Sequence, residues 1–138
     1  MKFVNLTPHA IALISSTSKG VSQTHQDSQT KLLLASLEDI VIIKEFPPTN
    51  LPLPRIKMRR ERREYIEGIP IVSGFGENEI ENLPEPEEGT FFIVSSLVAG
   101  EANLLGRSDI LAPNELVRDK NNPSTILGAM SLRRTVAQ

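Results

Sequence analysis

The segment from Gly89 to Asp109 places a short apolar run directly against a helical pattern, with almost no residues between them. The run Thr90 to Val94 is aromatic and β-branched, which predicts a buried strand. Ser95 and Ser96 follow at once, and serine is among the preferred residues at the start of a helix. We therefore predict a strand that passes through these two serines into a short helix at about residues 97–105.

The predicted start of this helix suits a negatively charged ligand. The first backbone N–H groups of a helix have no partner inside the helix, and the helix dipole is positive at this end. Ser95 and Ser96 would add two hydroxyls to such a site. Arg107 and Asp109 follow the helix and could complete it, with the guanidinium binding the anion and the carboxylate orienting it. They could equally pair with each other or with Arg118.

Length and composition indicate one globular domain that spans residues 1–138. Hydrophobic residues make up 39% and charged residues 23%, which argues against disorder. The chain has no cysteine, so disulfides and thiolate metal sites are excluded. No apolar run has the roughly 20 residues that a membrane helix needs, and the N-terminus lacks a signal-peptide pattern. We expect a cytoplasmic protein with no membrane partner and no cofactor.

Short β-rich runs dominate the rest of the chain and predict an α+β fold with an antiparallel or mixed sheet and one short helix. Residues 3–6 and 10–14 are strand-like and are separated by Thr7-Pro8-His9, where the proline predicts a bend or a strand edge. The polar segment 15–30 predicts a long loop or a loose hairpin. Residues 40–43 predict a strand, and Leu32 to Leu34 fit either a strand or one helical turn.

The second half of the chain contains two predicted hairpins. Four prolines in residues 47–54 predict an extended segment, either a mobile arm or a strap across a neighbour. Residues 55–66 fit a helix or a strand, and we favour a strand because Glu67-Gly68 is a tight-turn pair and residues 69–72 offer a partner. Residues 116–120 and 125–134 predict a closing hairpin.

Charge is segregated along the chain although the net charge is only −2. Six of the fifteen basic residues lie between Arg55 and Arg63, and six acidic residues lie between Glu77 and Glu88. These blocks could meet within one fold or between copies in an oligomer, or form two separately solvated faces. The negative net charge, the single tyrosine and the absence of tryptophan argue against nucleic-acid binding.

His9 is the one histidine with a restrained backbone, because a proline precedes it. It could be a general base or a ligand contact, or a half-buried ring bonded to backbone. His25 is the only other histidine and lies in the polar segment, so no metal site is expected. A catalytic triad of Ser95, His9 and Asp109 has no support in spacing, since there is no Gly-x-Ser-x-Gly motif.

Three motifs resemble a group of small uncharacterised bacterial and phage proteins. These are residues 4–11 (VNLTPHAI), residues 83–90 (LPEPEEGT) with residues 93–99 (IVSSLVA), and residues 107–109 with Pro113 and residues 117–119. The resemblance covers both ends of the chain and leaves out residues 15–63. It implies no activity. It adds Thr7 to the candidate residues, because the matching segments contain it together with His9, Ser95, Ser96, Arg107, Asp109 and Arg118.

Three hypotheses follow. The first is a module that binds a small anionic metabolite or a nucleotide, with Ser95 and Ser96 holding the anion, Arg107 and Arg118 neutralising it and His9 contacting the ligand or shaping the site. The second is an interaction protein that works through oligomerisation or a host partner, phage- or host-related, and uses the Arg55–Arg63 run, the proline segment and the acidic loop. The third is a small hydrolase or transferase with His9 as base.

Overall fold

The computed structural model describes residues 1–18, 20–25, 31–57, 61–74 and 79–134. It is a β-dominated α+β fold with a mixed sheet, as the sequence predicts. In chain order the elements are β1 (Lys2–Asn5), β2 (Ile11–Ile14), β3 (Ser22–His25), β4 (Lys31–Ala35), a 3₁₀ turn (Leu37–Asp39), β5 (Ile42–Phe46), β6 (Arg55–Lys57), β7 (Glu61–Ile66), β8 (Ile69–Gly74), β9 (Glu79–Glu81), β10 (Thr90–Ile93), α1 (Ser96–Leu104), β11 (Ile110–Asp119) and β12 (Asn122–Arg133).

The main sheet has the strand order β1-β10-β11-β12-β2-β5. Strands β1, β10 and β11 are parallel, and α1 is the crossover that parallel neighbours β10 and β11 require. Strands β11 and β12 form the predicted closing hairpin, which is longer than expected. Strand β2 lies parallel to β12 and antiparallel to β5, and the β3–β4 hairpin adds to β11 through β4.

Asn5 links the two edges of this sheet. A parallel bridge joins Asn5 to Pro48, just after β5, and the Thr49 amide donates to the Asn5 carbonyl over 3.3 Å. The Asn5 side chain also donates to the Phe46 carbonyl over 2.9 Å. The strand order therefore returns to β1 and forms a closed ring of six strands, which we call the strand ring. The proline segment is thus a strap across its own chain at this point.

The same Asn5 side chain organises the bend at Thr7-Pro8-His9. Its Oδ1 accepts from the Thr7 amide over 2.9 Å and from the Thr7 hydroxyl over 2.6 Å. Its Nδ2 donates to the His9 carbonyl over 2.8 Å. Asn5 is only 1% exposed, and no buried side-chain N or O atom among the described residues lacks a partner. The predicted bend is confirmed, and its shape depends on this one buried amide.

Three apolar clusters hold the elements together. The first lies under α1, the second connects β2, β5 and β10, and the third lies between the β3–β4 hairpin and the sheet. Burial of this kind is the main favourable term in folding. The buried members are Leu6, Phe92, Val94, Val98, Ala99, Ala102, Ile110 and Ala112 in the first cluster; Ile11, Phe46 and Ile93 in the second; and Ile14, Ala35 and Val117 in the third.

Strand β12 approaches β2 closely at Gly128. A Cβ on this residue would lie 2.5 Å from the Ala12 carbonyl oxygen and 2.9 Å from Ile14 Cδ1. Cβ atoms in proteins essentially never lie this close to another heavy atom, so a side chain at position 128 would force the backbone at Ala12 to move. Glycine is therefore required here by close approach rather than by a turn.

The strand favoured at residues 55–66 is confirmed in both of its described parts, but these form two strands with different partners. Strand β6 pairs with β9, and β7 pairs with β8. Arg55 and Lys57 form ion pairs with Glu81, so part of the basic run meets part of the acidic block within one fold. The hydrogen bond from Arg55 is the main cause that lowers the pKa of Glu81. Residues 58–60 and 75–78 lie outside the described part.

Strands β7 and β8 form the predicted hairpin around Glu67-Gly68, whose φ values of 50° and 80° suit a type I′ turn. Every side chain described between residues 62 and 73 is exposed. Within the described residues the two strands pair only with each other.

The structure decides between alternatives that the sequence left open for residues 15–35. Of the long loop and the loose hairpin expected in segment 15–30, the hairpin is observed, because β3 pairs antiparallel with β4; residues 19 and 26–30 lie outside the described part. Of the strand and the helical turn that fit Leu32 to Leu34, the strand is observed, and β4 lies between β3 and β11. The strand expected at residues 40–43 lies two to three residues later, at residues 42–46.

Candidate functional site

A cleft of about 750 Å³ lies where the β1–β2 bend, the start of α1 and the strands β5, β11 and β12 meet. This volume is within the range of small-molecule sites. Four of the residues singled out in the sequence line it: Thr7, His9, Ser95 and Ser96. They come from two segments about 90 residues apart, and the fold brings these two segments to the same cleft.

Helix α1 begins at Ser96, one residue before the predicted start at residue 97. Ser95 is the N-cap, and its Oγ accepts from the Val98 amide over 3.4 Å. The first intrahelical bond runs from the Ala99 amide to the Ser95 carbonyl. The amides of Ser96 and Leu97 precede that bond and have no acceptor among the described residues. Since Ser95 and Ser96 are exposed and line the cleft, free N–H groups at the positive end of α1 are placed beside it.

Thr7 and His9 reach the cleft from the β1–β2 bend. The Thr7 hydroxyl also approaches the His9 carbonyl, at 3.0 Å, so it has two acceptors within the bend. Thr7 therefore acts mainly on the shape of the bend. The His9 side chain is exposed, and no hydrogen bond to its ring is formed by the described residues. Its imidazole remains available for a ligand.

The remaining walls are mostly apolar and were missed by the sequence reasoning. Glu45 and Ser124 are the further polar lining residues. They lie on β5 and in the first part of β12, and nothing in their local sequence connects them to the β1–β2 bend. The apolar lining is formed by Ala10, Ile11, Ala12, Ile42, Val94, Pro113, Leu116, Ile126, Leu127 and Ala129, with Gly128 between them.

Arg107 and Asp109 lie away from the cleft, beyond the C-terminal end of α1. Arg107 donates through Nε and Nη2 to both oxygens of Asp109 over 2.9 Å, and Nη2 also donates to the Pro84 carbonyl over 2.9 Å. The hydrogen bonds from Arg107 to the carboxylate lower the pKa of Asp109, and burial has a smaller, opposing effect. The alternative that the two residues pair with each other is the one observed, and Arg107 contributes no charge to the cleft.

Arg118 is also placed elsewhere. Its Nη1 donates to the Pro123 carbonyl over 3.1 Å, within the β11–β12 hairpin. The described lining of the cleft therefore contains no lysine or arginine, and it contains one carboxylate, Glu45. The positive end of α1 and the imidazole of His9 are the features there that favour a negative charge.

The fold and the cleft define a small β-dominated α+β protein with a ligand-sized depression beside a helix N-terminus. Within the described residues there is no helix long and apolar enough to cross a membrane, and no group of three or more candidate metal ligands. Comparison with protein-family models, curated proteins and solved structures found no match to this chain.

Proposed function

We propose that the protein binds a small anionic metabolite in the cleft between the β1–β2 bend and the start of α1. The observation that carries the proposal is the convergence of His9, Ser95 and Ser96 on one cleft of about 750 Å³. The free amides of Ser96 and Leu97 would bind the anionic group, with the imidazole of His9 beside it. The motifs that resemble the bacterial and phage group include these same residues.

The charge of the cleft favours a ligand with one negative group over a polyphosphate. A triphosphate needs cations to offset its charge, and the described lining offers neither lysine nor arginine. Glu45 would repel a second negative group. The apolar walls at Ile42, Ile126 and Leu127 instead suit a hydrocarbon or ring portion. We therefore place carboxylates and nucleoside monophosphates ahead of nucleoside triphosphates.

Binding alone is proposed, without a reaction. A hydrolase with His9 as base would need a nucleophile held by that base. No hydrogen bond joins the His9 ring to Ser95 or Ser96.

The proposal is tested by the thermal stability of the protein against a panel of carboxylates, inorganic phosphate and nucleotides. A ligand at 100 times its dissociation constant adds about 2.7 kcal/mol to the free energy of unfolding. We expect one class of monoanion to raise the melting temperature. No stabilisation by any member of such a panel would argue against the proposed function.

A proline at position 96 gives a sharp test of the contact. Ser96 is the first residue of α1, where proline is tolerated, and the extended backbone of Ser95 (ψ 154°) suits a following proline. Ser96→Pro removes one free N–H group and should weaken ligand binding about tenfold or more, since the hydrogen bond it loses is to a charged group. Ser96→Ala is the matched control, because it removes the hydroxyl and keeps the amide. Equal binding by the proline variant and the wild type would exclude the helix N-terminus as the anion site.

A second pair of variants tests the cleft itself. Ala10 is exposed and lines the cleft, so Ala10→Phe should fill part of it and abolish the ligand-induced shift. Ser16 is also exposed but lies outside the lining, and Ser16→Phe should leave the shift unchanged. Loss of binding in both variants would indicate an effect of the added ring that is unrelated to the cleft.

A further inference from the structure

The β7–β8 hairpin carries several exposed apolar side chains on its two strands. Tyr65 is 67% exposed, Ile66 56%, Ile69 59% and Val72 45%. An isolated two-stranded hairpin is at best marginally stable in water, and three or more strands are needed for independent stability. Exposed edge strands of this kind are sites at which another strand can add.

The two outer edges of the hairpin differ in their ability to accept another strand. Pro70 lies opposite Tyr65, and proline has no N–H, so these two residues form a non-hydrogen-bonded pair. The backbone groups of such a pair point away from the hairpin, and we call its residues outward residues. Because the two kinds of pair alternate along the strands, Arg63 and Val72 are outward residues as well. The edge of β8 lacks a donor at Pro70, whereas Arg63 and Tyr65 on the edge of β7 each present an N–H and a C=O that no other described residue pairs with. The edge of β7 is therefore the one that can pair over its full length.

The sequence of β7 is complementary to itself in one antiparallel register. A second β7 strand can form hydrogen bonds to this edge only where the outward residues of one copy lie opposite the outward residues of the other. The register centred on Arg63 matches the largest number of outward residues, with Arg63 opposite Arg63 and Glu61 opposite Tyr65 on either side. It also places Arg62 of one copy opposite Glu64 of the other, twice by symmetry. Both side chains are exposed, and neither forms an ion pair within the described residues.

We propose that the outer edge of β7 is a self-association surface, at which two copies of the chain pair β7 antiparallel to β7 about a two-fold axis at Arg63. Each two-stranded hairpin then becomes half of a four-stranded sheet. The two Arg62–Glu64 pairs favour this register, as opposite charges across neighbouring strands do. Arg63 faces its own counterpart at the axis, and this like-charge pair opposes association.

The association is measured by sedimentation equilibrium of the full chain over a range of concentrations, with two matched proline variants. Arg63→Pro removes the central outward N–H of β7, and Val72→Pro removes the opposing outward N–H of β8. Neither substitution removes a hydrogen bond within the hairpin. We expect wild type and Val72→Pro to form dimers and Arg63→Pro to remain monomeric. A wild type that is monomeric at every concentration, or equal loss in both variants, overturns the proposal.

Charge exchange tests the register and the identity of the partner. Arg62→Glu alone and Glu64→Arg alone should each weaken the dimer about tenfold, since two cross-strand pairs then become like-charged. The double variant Arg62→Glu/Glu64→Arg should restore it, because both copies change together. Arg63→Thr should tighten the dimer by removing the like charges at the axis. Failure of the double variant to recover would show that β7 pairs with something other than a second β7 in this register.

Discussion

The strand ring and the β7–β8 hairpin contain similar amino acids in opposite situations. In the ring, the isoleucines and valines of β2, β10 and β11 are buried, and Asn5 satisfies the backbone groups at the point of closure. In the hairpin, every described side chain from residue 62 to residue 73 is exposed, and neither outer edge pairs with another strand among the described residues. Apolar β-branched residues thus form strands in both regions, but only the ring contributes substantially to the core.

Replacement of Asn5 should have the largest effect, because it holds both the ring closure and the bend beside the cleft. Asn5→Ala leaves the carbonyls of His9 and Phe46 without this donor, and the Thr7 amide without its acceptor. We expect a loss of about 4 kcal/mol in the free energy of unfolding, measured by urea denaturation. The control is Asn114→Ala, which removes a single hydrogen bond to Ser131 at a half-buried position. Similar losses in both variants would contradict a special role for Asn5.

Two glycines give a pair of predictions with opposite signs. Gly128→Ala places a methyl group against the Ala12 carbonyl of β2 and should cost about 3 kcal/mol. Gly100 lies inside α1, and a methyl group added there would enter open space, so Gly100→Ala should stabilise by about 0.5–1 kcal/mol. Thermal unfolding of the two variants measures both effects. A tolerated alanine at position 128 would show that β2 and β12 can separate without cost.

The Arg107–Asp109 pair predicts a pH dependence. Arg107 lowers the pKa of Asp109 in the folded state, whereas an unfolded aspartate titrates at about 3.9. The stabilisation is therefore fully present at neutral pH and is lost as the pH falls below about 4. Asp109→Asn should cost about 1.5 kcal/mol at pH 7, since it weakens hydrogen bonds between charged groups, and it should flatten the acid side of the stability profile. Melting temperatures measured against pH, with Asp119→Asn for comparison, test this. If the melting temperature of the Asp109→Asn variant fell at acidic pH as steeply as that of the wild type, the proposed contribution of the Arg107–Asp109 pair would be contradicted.

The smallest effect is expected in the hairpin. Val72→Thr replaces an exposed valine by a residue of the same shape and should change the free energy of unfolding by less than about 0.5 kcal/mol. The same change at Val117, which is fully buried, should cost about 2 kcal/mol because a hydroxyl enters the core. Urea denaturation of the two variants at a low protein concentration makes the comparison directly. A large loss at Val72 would show that the hairpin is packed in solution.

Local chemistry was enough to predict the elements whose boundaries are marked by particular residues. Ser95 predicted the start of α1, and Glu67-Gly68 predicted the β7–β8 turn. The strand prediction for residues 55–66 is confirmed for residues 55–57 and 61–66, but it did not separate β6 from β7, because their local sequences are similar and only their partners differ. The sequence left a long loop and a loose hairpin open for residues 15–30, because a polar strand such as β3 that pairs at the edge of a sheet has no apolar alternation to reveal it.

The candidate site divides in the same way. Residue chemistry selected His9, Ser95 and Ser96, and the structure brings them to one cleft. Arg107 was an equally good candidate anion-binding residue because of its charge. It pairs with Asp109 instead, since the two residues lie two positions apart just beyond the end of α1. Glu45 gave no signal because its importance depends only on which strand lies beside β2.

The amino-acid sequence alone determined the β-rich class, the α-helix that follows Ser95 and the polar residues from which a ligand site could be built. Propensity, turn chemistry and helix capping act over a few neighbouring residues, so they can be recognised without coordinates. The tertiary structure decided the closure of the strand ring at Asn5, the walls of the cleft and the separation of both arginines from it. These features depend on contacts between residues far apart in the chain, and only the packed sheet determines which of those contacts form.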